Sequence, residues 1–286
     1  MTAGARLREL LAGEALVVAP GAYDCLTARM VEQAGFPVVY MTGAGTAASL
    51  GYPDYGLVTM SEMAANAARI AGAVAVPVIA DADTGFGNEL NVVRTVREYA
   101  AAGVAALHIE DQVFPKRCGH LDRKQVIDAD AFVSKVRAAA ENRPDPDLVL
   151  IARTDARAVL GFEEAVERAN RALQAGADVA FVEAPQTEEE LAEVPRRVEG
   201  PCLLNVVAAG KTPDVSLSQA AELGYRLAIV PVLLLAAIVA AGDAALAGLG
   251  ATGRHPDGVP VIGVEQLFRR VGAQRWDDVR ARYGVD

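Results

Sequence analysis

The sequence predicts an α/β fold, a (β/α)8 barrel in which eight parallel strands alternate with helices. Short runs rich in Val, Ile, Leu and Ala recur about eight times and are almost continuously apolar, as is typical of strands covered on both faces. Segments with helical periodicity separate these runs, and glycine recurs where such helices should end. The length of 286 residues suits one barrel with a C-terminal extension.

The elements follow one another in the order that this fold requires. The predicted strands are ALVVAPG (15–21), PVVYMTG (37–43), VPVIADAD (76–83), AALHIEDQ (105–112), LVLIARTD (148–155), VAFVEAP (179–185), CLLNV (202–206) and RLAIVPV (226–232). The clearest predicted helices are 88–102, 130–142, 161–175 and 216–223. We therefore expect a barrel domain over residues 1–248 and a C-terminal helical arm over residues 249–286.

Composition and charge narrow the class of protein. With 52% hydrophobic and 22% charged residues, the chain can bury a large core. A formal net charge of -10 opposes general binding to nucleic acid or anionic membranes. The longest apolar run, 227–241, is short for a membrane span and contains a proline, and the N-terminus lacks the apolar centre of a signal peptide. Three widely spaced cysteines do not form a disulfide framework, so we expect a cytoplasmic protein that acts on small molecules.

Polar side chains cluster where the predicted strands end. In a barrel of this class the reaction site lies at the C-terminal ends of the strands. The polar residues at these positions are Tyr40, Thr42, Asp81, Asp83, His108, Glu110, Asp111, Arg153, Asp155, Glu183 and Asn205.

Asp81 and Asp83 are two residues apart and therefore lie on the same side of an extended strand. Glu110 can join them from the next strand, and oxygen ligands in this arrangement suit Mg²⁺, directly or through water. The alternative is that Asp83 only caps the helix that follows the glycine-rich turn.

Cys118 lies in the stretch PKRCGH, beside two cations and a histidine. Arg117 and His120 favour formation of a thiolate, and Gly119 allows a loop that closes over a site. The alternative is a small buried hydrophobe, which is how we interpret Cys25 and Cys202.

Other polar residues also have structural interpretations. His108 can form a hydrogen bond inside the barrel, Arg153 can pair with Glu183, and Asn205 can cap a loop. His255, in GRHPDGVP, is interpreted as a surface residue of the C-terminal arm.

Five motifs in register resemble the isocitrate lyase and phosphoenolpyruvate mutase superfamily. They are DADTGFGN (81–88), HIEDQ (108–112), KRCGH (116–120), ARTDA (152–156) and VEAP (182–185). The similarity runs from about Tyr23 to Pro231 and is closest to short lyases of the 2-methylisocitrate lyase type. The stretches GKTP (210–213) and KRCGHL are also similar to the alkylmalate lyase and carboxyphosphonoenolpyruvate mutase branches.

The resemblance implies a cofactor, an assembly and a set of site residues. It implies Mg²⁺, with Mn²⁺ as a substitute, a 2-hydroxy or 2-oxo carboxylate as substrate, and a homotetramer that exchanges its last helix between subunits. The implied metal-site acids are Asp81, Asp83 and Glu110. The implied catalytic residues are Cys118, Tyr40, Asp54, Arg153 and His120. The implied substrate-binding residues are Thr42, Gly43, Ala44, His108, Gly119, Arg153, Glu183, Asn205 and Pro231.

These roles combine into a mechanism for carbon-carbon bond cleavage. Tyr40 or Asp54 takes the hydroxyl proton of a metal-chelated 2-hydroxy acid, and the C2–C3 bond then breaks. Cys118 protonates the carbanion, while Arg153 clamps a carboxylate and offsets the developing charge.

The chain departs from its tricarboxylate-cleaving relatives after Asn205. It reads VVAA at 206–209 where isocitrate lyases carry a serine-rich segment, and the eighth strand leads into PVLLL at 231–235. An apolar wall favours an alkylmalate, with 2-methylisocitrate as the other lyase substrate. Oxaloacetate decarboxylation or hydrolysis, phosphonomutase chemistry and binding without turnover are the alternative functions.

Overall fold

A computed structural model of the chain describes residues 1–119, 121 and 123–284. Eight strands form a closed barrel in which all pairs are parallel and each strand lies between its neighbours in sequence. The predicted (β/α)8 barrel is therefore confirmed. The strands are β1 (Val17–Ala22), β2 (Val39–Met41), β3 (Val78–Asp81), β4 (Ala106–Glu110), β5 (Val149–Thr154), β6 (Val179–Val182), β7 (Cys202–Asn205) and β8 (Leu227–Val230).

Helices precede, separate and follow the strands. Those of the first part of the chain are α1 (Ala3–Ala12), α2 (Cys25–Gln33), α3 (Gly43–Ser49), α4 (Met60–Ala73), α5 (Glu89–Ala101), α6 (Ala129–Asn142), α7 (Phe162–Gln174), α8 (Glu188–Arg197) and α9 (Leu217–Leu223). A 3-10 turn spans Ala156–Ala158. Side-chain caps explain several starts: Asp24, Thr59 and Ser216 each accept from a backbone N–H of the first helical turn.

Two apolar layers hold the barrel together. The inner layer fills the barrel with side chains such as Tyr40, Ile79 and Phe181, and α1 adds Leu7 to it. The outer layer packs α7, α8 and α9 against the strands, with the fully buried ring of Tyr225 among its members. Burial of this apolar surface is the main contribution to stability.

Strand register brings the polar residues to two adjacent levels at one end of the barrel. Asp81 on β3 is opposite His108 on β4, and Glu110 on β4 is opposite Arg153 on β5. The parallel strands all end on the same side, so these side chains face a common space.

The C-terminal segment forms a compact unit of its own over residues 234–286, and the first unit covers residues 1–233. The second unit contains most of α10 (Leu233–Thr252), together with α11 (Val264–Arg270) and α12 (Ala273–Tyr283). The predicted domain limit at residue 248 falls inside α10.

Helix α10 is apolar around its whole circumference, and its own unit buries none of its residues. Among the described helices it is the one that length and composition would allow to cross a membrane, with a mean hydropathy of 2.0. Core helices of soluble proteins have the same composition, so this property alone does not indicate a membrane protein.

Candidate active site

The residues at the strand ends surround a cavity of about 100 Å³. Polar groups form one side of it, and apolar side chains complete the wall. The lining residues are Tyr40, Thr42, Ala44, Asp54, Asp81, Lys116, Cys118, Gly119, Arg153, Glu183, Asn205, Val207, Ile229, Pro231 and Val232.

A larger cavity of about 470 Å³ lies beside α2, α3 and α4. Its lining includes Asp24, Glu62 and Arg69 but none of the strand-end acids. We therefore place the candidate site in the smaller cavity, since catalytic groups of barrel enzymes come from the strand ends.

Tyr40 and His108 form a buried pair at the base of the site. The Tyr40 hydroxyl lies 2.8 Å from His108 Nε2 and 3.4 Å from Asp81 Oδ2. Burial raises the pKa of Tyr40 well above its ordinary value and lowers the pKa of His108. The phenol is therefore protonated and the imidazole neutral at neutral pH. His108 is fully buried behind Tyr40, and its predicted contact with substrate stays a prediction.

Asp81 is held as a carboxylate by two backbone donors. Asp83 N donates to its Oδ1 at 2.9 Å, and Gly43 N donates to its Oδ2 at 3.1 Å. A Cβ on residue 43 would lie 2.4 Å from Asp81 Oδ2, so this approach requires glycine. Burial opposes ionisation, but His108, Lys116 and Arg153 outweigh it and lower the pKa of Asp81 to about 2.

Lys116 places an ammonium group between two acids. Its Nζ lies 2.5 Å from Asp54 Oδ1 and 2.7 Å from Asp83 Oδ1, and its side chain is 4% exposed. Asp83 adopts a left-handed φ of 46°, in the turn that follows β3. Burial, together with Asp81 and Asp54, raises the pKa of Asp83 to about 6 in spite of Lys116.

Glu110 completes the acidic side of the site. Its Oε2 lies 3.2 Å from Arg153 Nε, while its buried Oε1 has no hydrogen-bond partner among the described residues. Burial raises the pKa of Glu110 well above its ordinary value, although Arg153 opposes the shift. An orphaned buried oxygen of this kind is typical of a site that binds a further positive or hydrogen-donating group.

The acids fit Mg²⁺ by donor chemistry, because all of the candidate ligands are carboxylate oxygens. The contact of Lys116 with Asp83 shows that these acids already bind one positive charge. The part of the chain that the structure describes contains no three His, Cys, Asp or Glu side chains arranged as joint direct ligands. The predicted set of Asp81, Asp83 and Glu110 therefore stays a prediction.

Arg153 lies at the centre of a buried ionic network. Its Nε is 2.9 Å from Asp155 Oδ2, and its terminal nitrogen is 3.8 Å from Glu183 Oε2. The guanidinium also lies 5.1 Å from the centre of the Phe181 ring. Asp155 is thus its nearest acid, and the predicted pairing with Glu183 is the weaker of the two contacts.

The cysteine loop covers the cavity from one side. Cys118 and Gly119 both line it, and Cys118 N donates to Asp54 O at 3.2 Å. A Cβ on residue 119 would lie 2.4 Å from both Arg153 NH2 and Glu183 Oε1, so the loop backbone lies directly on these side chains. His120, which the sequence predicts beside the thiol, lies outside the described residues.

Most of the other predicted residues also lie at the cavity. Thr42, the N-cap residue of α3, and Ala44 line it, as does Pro231 after β8. Asn205 at the end of β7 donates to both oxygens of Glu183 at 3.3 Å.

Several residues of the site did not emerge from the sequence. Lys116 was visible in PKRCGH only as a cation near Cys118, and its position between two acids depends on the path of the loop. Lys124, whose Nζ contacts Asp155 Oδ1 at 2.6 Å, carried no local signal beyond its charge. Val207 and Ile229 line the cavity as well, and their signals were the apolar run after Asn205 and the apolar eighth strand, respectively.

The chain is a (β/α)8 barrel with buried acids and an arginine at its strand ends and a thiol in the loop beside them. These features are typical of barrel enzymes that act on small anionic substrates. Comparison with known proteins identifies the family within this class. The family profile described as phosphoenolpyruvate phosphomutase matches residues 7–249. The chain belongs to this family, which confirms its predicted place in the isocitrate lyase and phosphoenolpyruvate mutase superfamily and its character as an enzyme.

Two curated relatives are lyases. The chain is 49% identical over 232 residues to 2,3-dimethylmalate lyase of Eubacterium barkeri, and the aligned region covers 81% of this chain and 80% of the relative. It is 46% identical over 254 residues to 2-methylisocitrate lyase of Aeropyrum pernix, with 89% and 82% covered.

Solved structures share the fold over the whole chain. Oxaloacetate acetylhydrolase in complex with 3,3-difluorooxalacetate is 39% identical, with a TM-score of 0.95 over 100% of this chain and 98% of the other. Phosphonopyruvate hydrolase in complex with oxalate and Mg²⁺ is 32% identical, with a TM-score of 0.89 over 99% of both chains.

Proposed function

We propose that this protein is a Mg²⁺-dependent lyase that cleaves the C2–C3 bond of a small 2-hydroxy dicarboxylate, with an alkylmalate preferred to 2-methylisocitrate. The products are a 2-oxo acid and a simple carboxylate. The observation that carries this proposal is the division of the cavity into an ionic side and an apolar side.

The ionic side supplies what a hydroxy acid needs. Asp54, Asp81, Arg153 and Cys118 lie around one small space. The apolar side supplies contacts for an alkyl substituent through Val207, Ile229, Pro231 and Val232, and it carries no cation for a third carboxylate. We identify this last group as the alkyl-facing wall.

The size of the cavity supports the same substrate class. Its volume of about 100 Å³ corresponds to roughly three water molecules at about 30 Å³ each. A dicarboxylate with one or two methyl groups needs less rearrangement of the loop than a branched tricarboxylate does.

The residues that would hold Mg²⁺, or Mn²⁺ in its place, are Asp81, Asp83 and Glu110. When bound, the cation would supply Lewis-acid stabilisation of negative charge on the substrate oxygens. The 2-oxo or 2-hydroxy carboxylate would meet the turn at Thr42, Gly43 and Ala44 on the same side. Thr42 N already donates to Ala22 O and Gly43 N to Asp81 Oδ2, so the Ala44 N–H is the proposed donor.

Asp54 is the proposed base that takes the substrate hydroxyl proton. The raised pKa of the buried Tyr40 keeps its hydroxyl protonated, so that this group acts as a hydrogen-bond donor and not as a base. Asp54 lines the cavity with its side chain 15% exposed, and Lys116 orients its carboxylate.

Cys118 is the proposed acid. Loss of the hydroxyl proton forms the carbonyl at C2, the C2–C3 bond breaks, and its electron pair stays on C3. The Cys118 thiol then gives its proton to C3 and becomes a thiolate, while the hydroxyl proton stays on Asp54. Proton exchange with solvent afterwards restores the Asp54 carboxylate and the Cys118 thiol. Arg153 pairs with a substrate carboxylate, and the covering loop excludes water from the carbanion.

The proposed assembly is a homotetramer in which the C-terminal helical segment is exchanged between subunits. Helix α10, which is apolar apart from Asp243 and Thr252, requires an apolar partner, and a second copy of the chain supplies one. We propose a cytoplasmic location for the same reason, since α10 would then be covered by protein. Sedimentation of the purified protein tests the tetramer, and fractionation of expressing cells tests the location. Recovery of the protein as a monomer or in the membrane fraction would contradict these statements.

The decisive experiment measures 2-oxo acid release by mass spectrometry from alkylmalates, methylisocitrate, isocitrate and oxaloacetate, with Mg²⁺ or Mn²⁺ and after metal removal. Wild type is compared with Cys118→Ser and with Cys25→Ser as the thiol control. We expect alkylmalate cleavage that needs the metal, with kcat lowered at least about 100-fold in Cys118→Ser and unchanged in Cys25→Ser.

Other outcomes would select a different function. Turnover of oxaloacetate alone, unaffected by Cys118→Ser, would indicate a decarboxylase or hydrolase. Formation of a phosphonate, followed by phosphorus NMR, would indicate a phosphonomutase. A clear preference for methylisocitrate would overturn the proposed role of the alkyl-facing wall.

A further inference from the structure

We propose that Lys124 is a positioning residue that fastens the Cys118–Gly119 segment to the barrel and fixes the carboxylate that orients Arg153. The role assigned to Cys118 rests on the proposed function. The fastening itself rests on contacts that are independent of any activity.

The loop that carries Cys118 leaves and re-enters the barrel through a narrow antiparallel neck. Gln112 and Val126 form a β-bridge, Val113 N donates to Gln125 O at 2.8 Å, and Ile127 N donates to Asp111 O at 2.8 Å. Lys124 lies on the returning limb, directly beyond this neck. The backbone bonds of the neck fix the base of the loop but do not reach Cys118.

The Lys124 side chain supplies a connection farther along the loop. Its ammonium group donates to Gly119 O at 2.5 Å and to Asp155 Oδ1 at 2.6 Å. The side chain is 1% exposed, so both bonds are formed out of contact with water. A single cation thus joins the covering segment to the end of β5.

Asp155 transmits this contact to the substrate-facing arginine. Arg153 Nε donates to Asp155 Oδ2 at 2.9 Å, and Asp155 N donates to Asp111 Oδ1 at 2.8 Å. Burial disfavours the carboxylate, but Arg153 and Lys124 outweigh it and hold the pKa of Asp155 well below its ordinary value. Removal of Lys124 would leave this buried charge with one cation where it now has two.

Gly119 shows how closely the segment is seated. Its backbone lies against Arg153 and Glu183, with no room for a Cβ. The carbonyl that Lys124 holds belongs to this residue, directly after Cys118. Loss of the ammonium would therefore leave the bond from Cys118 N to Asp54 O as the nearest hold on the segment, and we expect the half-buried thiol to become more accessible.

The test follows the reactivity of Cys118 in a chain where it is the remaining thiol. Cys25→Ser and Cys202→Ala remove the other two cysteines of the sequence. In this background, modification by a thiol reagent such as 5,5'-dithiobis(2-nitrobenzoate) is timed for Lys124→Met and for Arg123→Met. Arg123 is the matched control, since it is an exposed cation of the same loop.

We expect Lys124→Met to raise the rate of modification at least tenfold and Arg123→Met to leave it within twofold. Equal rates in the two variants would overturn the proposal. If Lys124→Met does not fold, Lys124→Gln, which keeps a hydrogen-bond donor but not the charge, is measured in its place. Faster modification than in Arg123→Met would support the proposal, and an equal rate would overturn it. Thermal unfolding of each variant separates opening of the loop from loss of the whole fold.

Steady-state kinetics in the chain with all native cysteines test the consequence for the reaction. We expect Lys124→Met to lower kcat at least tenfold and to change KM less than threefold, because protonation by Cys118 follows substrate binding. Faster thiol modification without any lyase activity in the wild type would overturn the proposed function and leave the fastening role supported. Unchanged modification would overturn the fastening role whatever the activity.

Discussion

The two ends of the barrel hold charged side chains in different ways. At the N-terminal end, Asp178 accepts from Arg8 at 2.9 Å, from Arg143 at 2.5 Å and from Leu150 N at 2.8 Å. Both of its oxygens have partners. At the C-terminal end, the oxygen Oε1 of Glu110 is buried without a hydrogen-bond partner in the described part of the chain.

The difference separates groups that stabilise the fold from groups that are prepared for a ligand. A carboxylate with two cations and a backbone donor lowers the free energy of the folded state. An acid whose pKa burial raises in spite of a neighbouring cation, as in Glu110 and Asp83, destabilises the folded state at neutral pH until a further cation joins it. The left-handed φ of 46° at Asp83 lies at the same end.

The largest expected effect is at the C-terminal end. Glu110→Gln keeps the shape of the side chain but removes a charge from the proposed cation site, so we expect kcat/KM to fall about 1,000-fold or more. The free energy of unfolding at pH 7 should stay constant or rise, because the ionised Glu110 is disfavoured by burial. Urea unfolding and the lyase assay check the two halves separately, and a destabilised but active variant would contradict the comparison.

The reverse pattern is expected at the N-terminal end. Asp178→Ala leaves Arg8 and Arg143 without their shared, half-buried acid, and we expect a loss of about 2 kcal/mol in the free energy of unfolding with kcat unchanged. Asp130→Ala is the matched control, since Asp130 is 85% exposed in its pair with Arg171 and should matter by less than about 1 kcal/mol. Equal losses in the two variants would remove the distinction.

The sequence predicted the barrel well because the signals for it are local. Eight apolar runs and the glycines after helices are readable without knowledge of any distant contact. The positions of the acids predicted to bind metal were also accessible, since Asp81 and Glu110 end strands that lie side by side in the barrel. Their positions at the strand ends are as expected, whereas their roles stay predictions.

The features that could not be predicted from the sequence depend on the paths of loops and on where helices end. Lys124 meets Asp155 because an antiparallel neck returns the loop towards β5, and no periodicity encodes that return. The burial of His108 behind Tyr40 follows from barrel closure. Helix α10 continues past Gly242 and Asp243, where the apolar run of the sequence ends, as far as Thr252. The predicted domain limit at residue 248 therefore falls inside it.

A smaller effect tests the close seating of the loop. Gly119→Ala places a Cβ against Arg153 and Glu183, so we expect the covering loop to shift and kcat to fall about tenfold with little change in stability. Gly72→Ala is the control, because a Cβ on this exposed residue of α4 meets nothing within 4 Å. It should stabilise the helix by about 0.5–1 kcal/mol. A Gly119→Ala variant with full activity would show that the loop can withdraw without consequence.

The last expected effect concerns the cations. The N-terminal end uses arginines, which stay charged, whereas the buried Lys135 of α6 lies near the acids of the C-terminal end and donates to Thr84 O. Burial lowers the pKa of Lys135 from 10.5 to about 8. Between these pH values the unfolded chain binds more protons than the folded chain, so the contribution of Lys135 makes stability rise with pH.

Lys135→Met lacks this contribution, so the free energy of unfolding of the wild type minus that of the variant should increase by about 2 kcal/mol from pH 8 to pH 10. Urea unfolding of both proteins across this range measures the difference and removes the titrations that they share. A flat difference would mean that Lys135 stays protonated in the folded state. The two ends of the barrel would then differ in their acids and not in their cations.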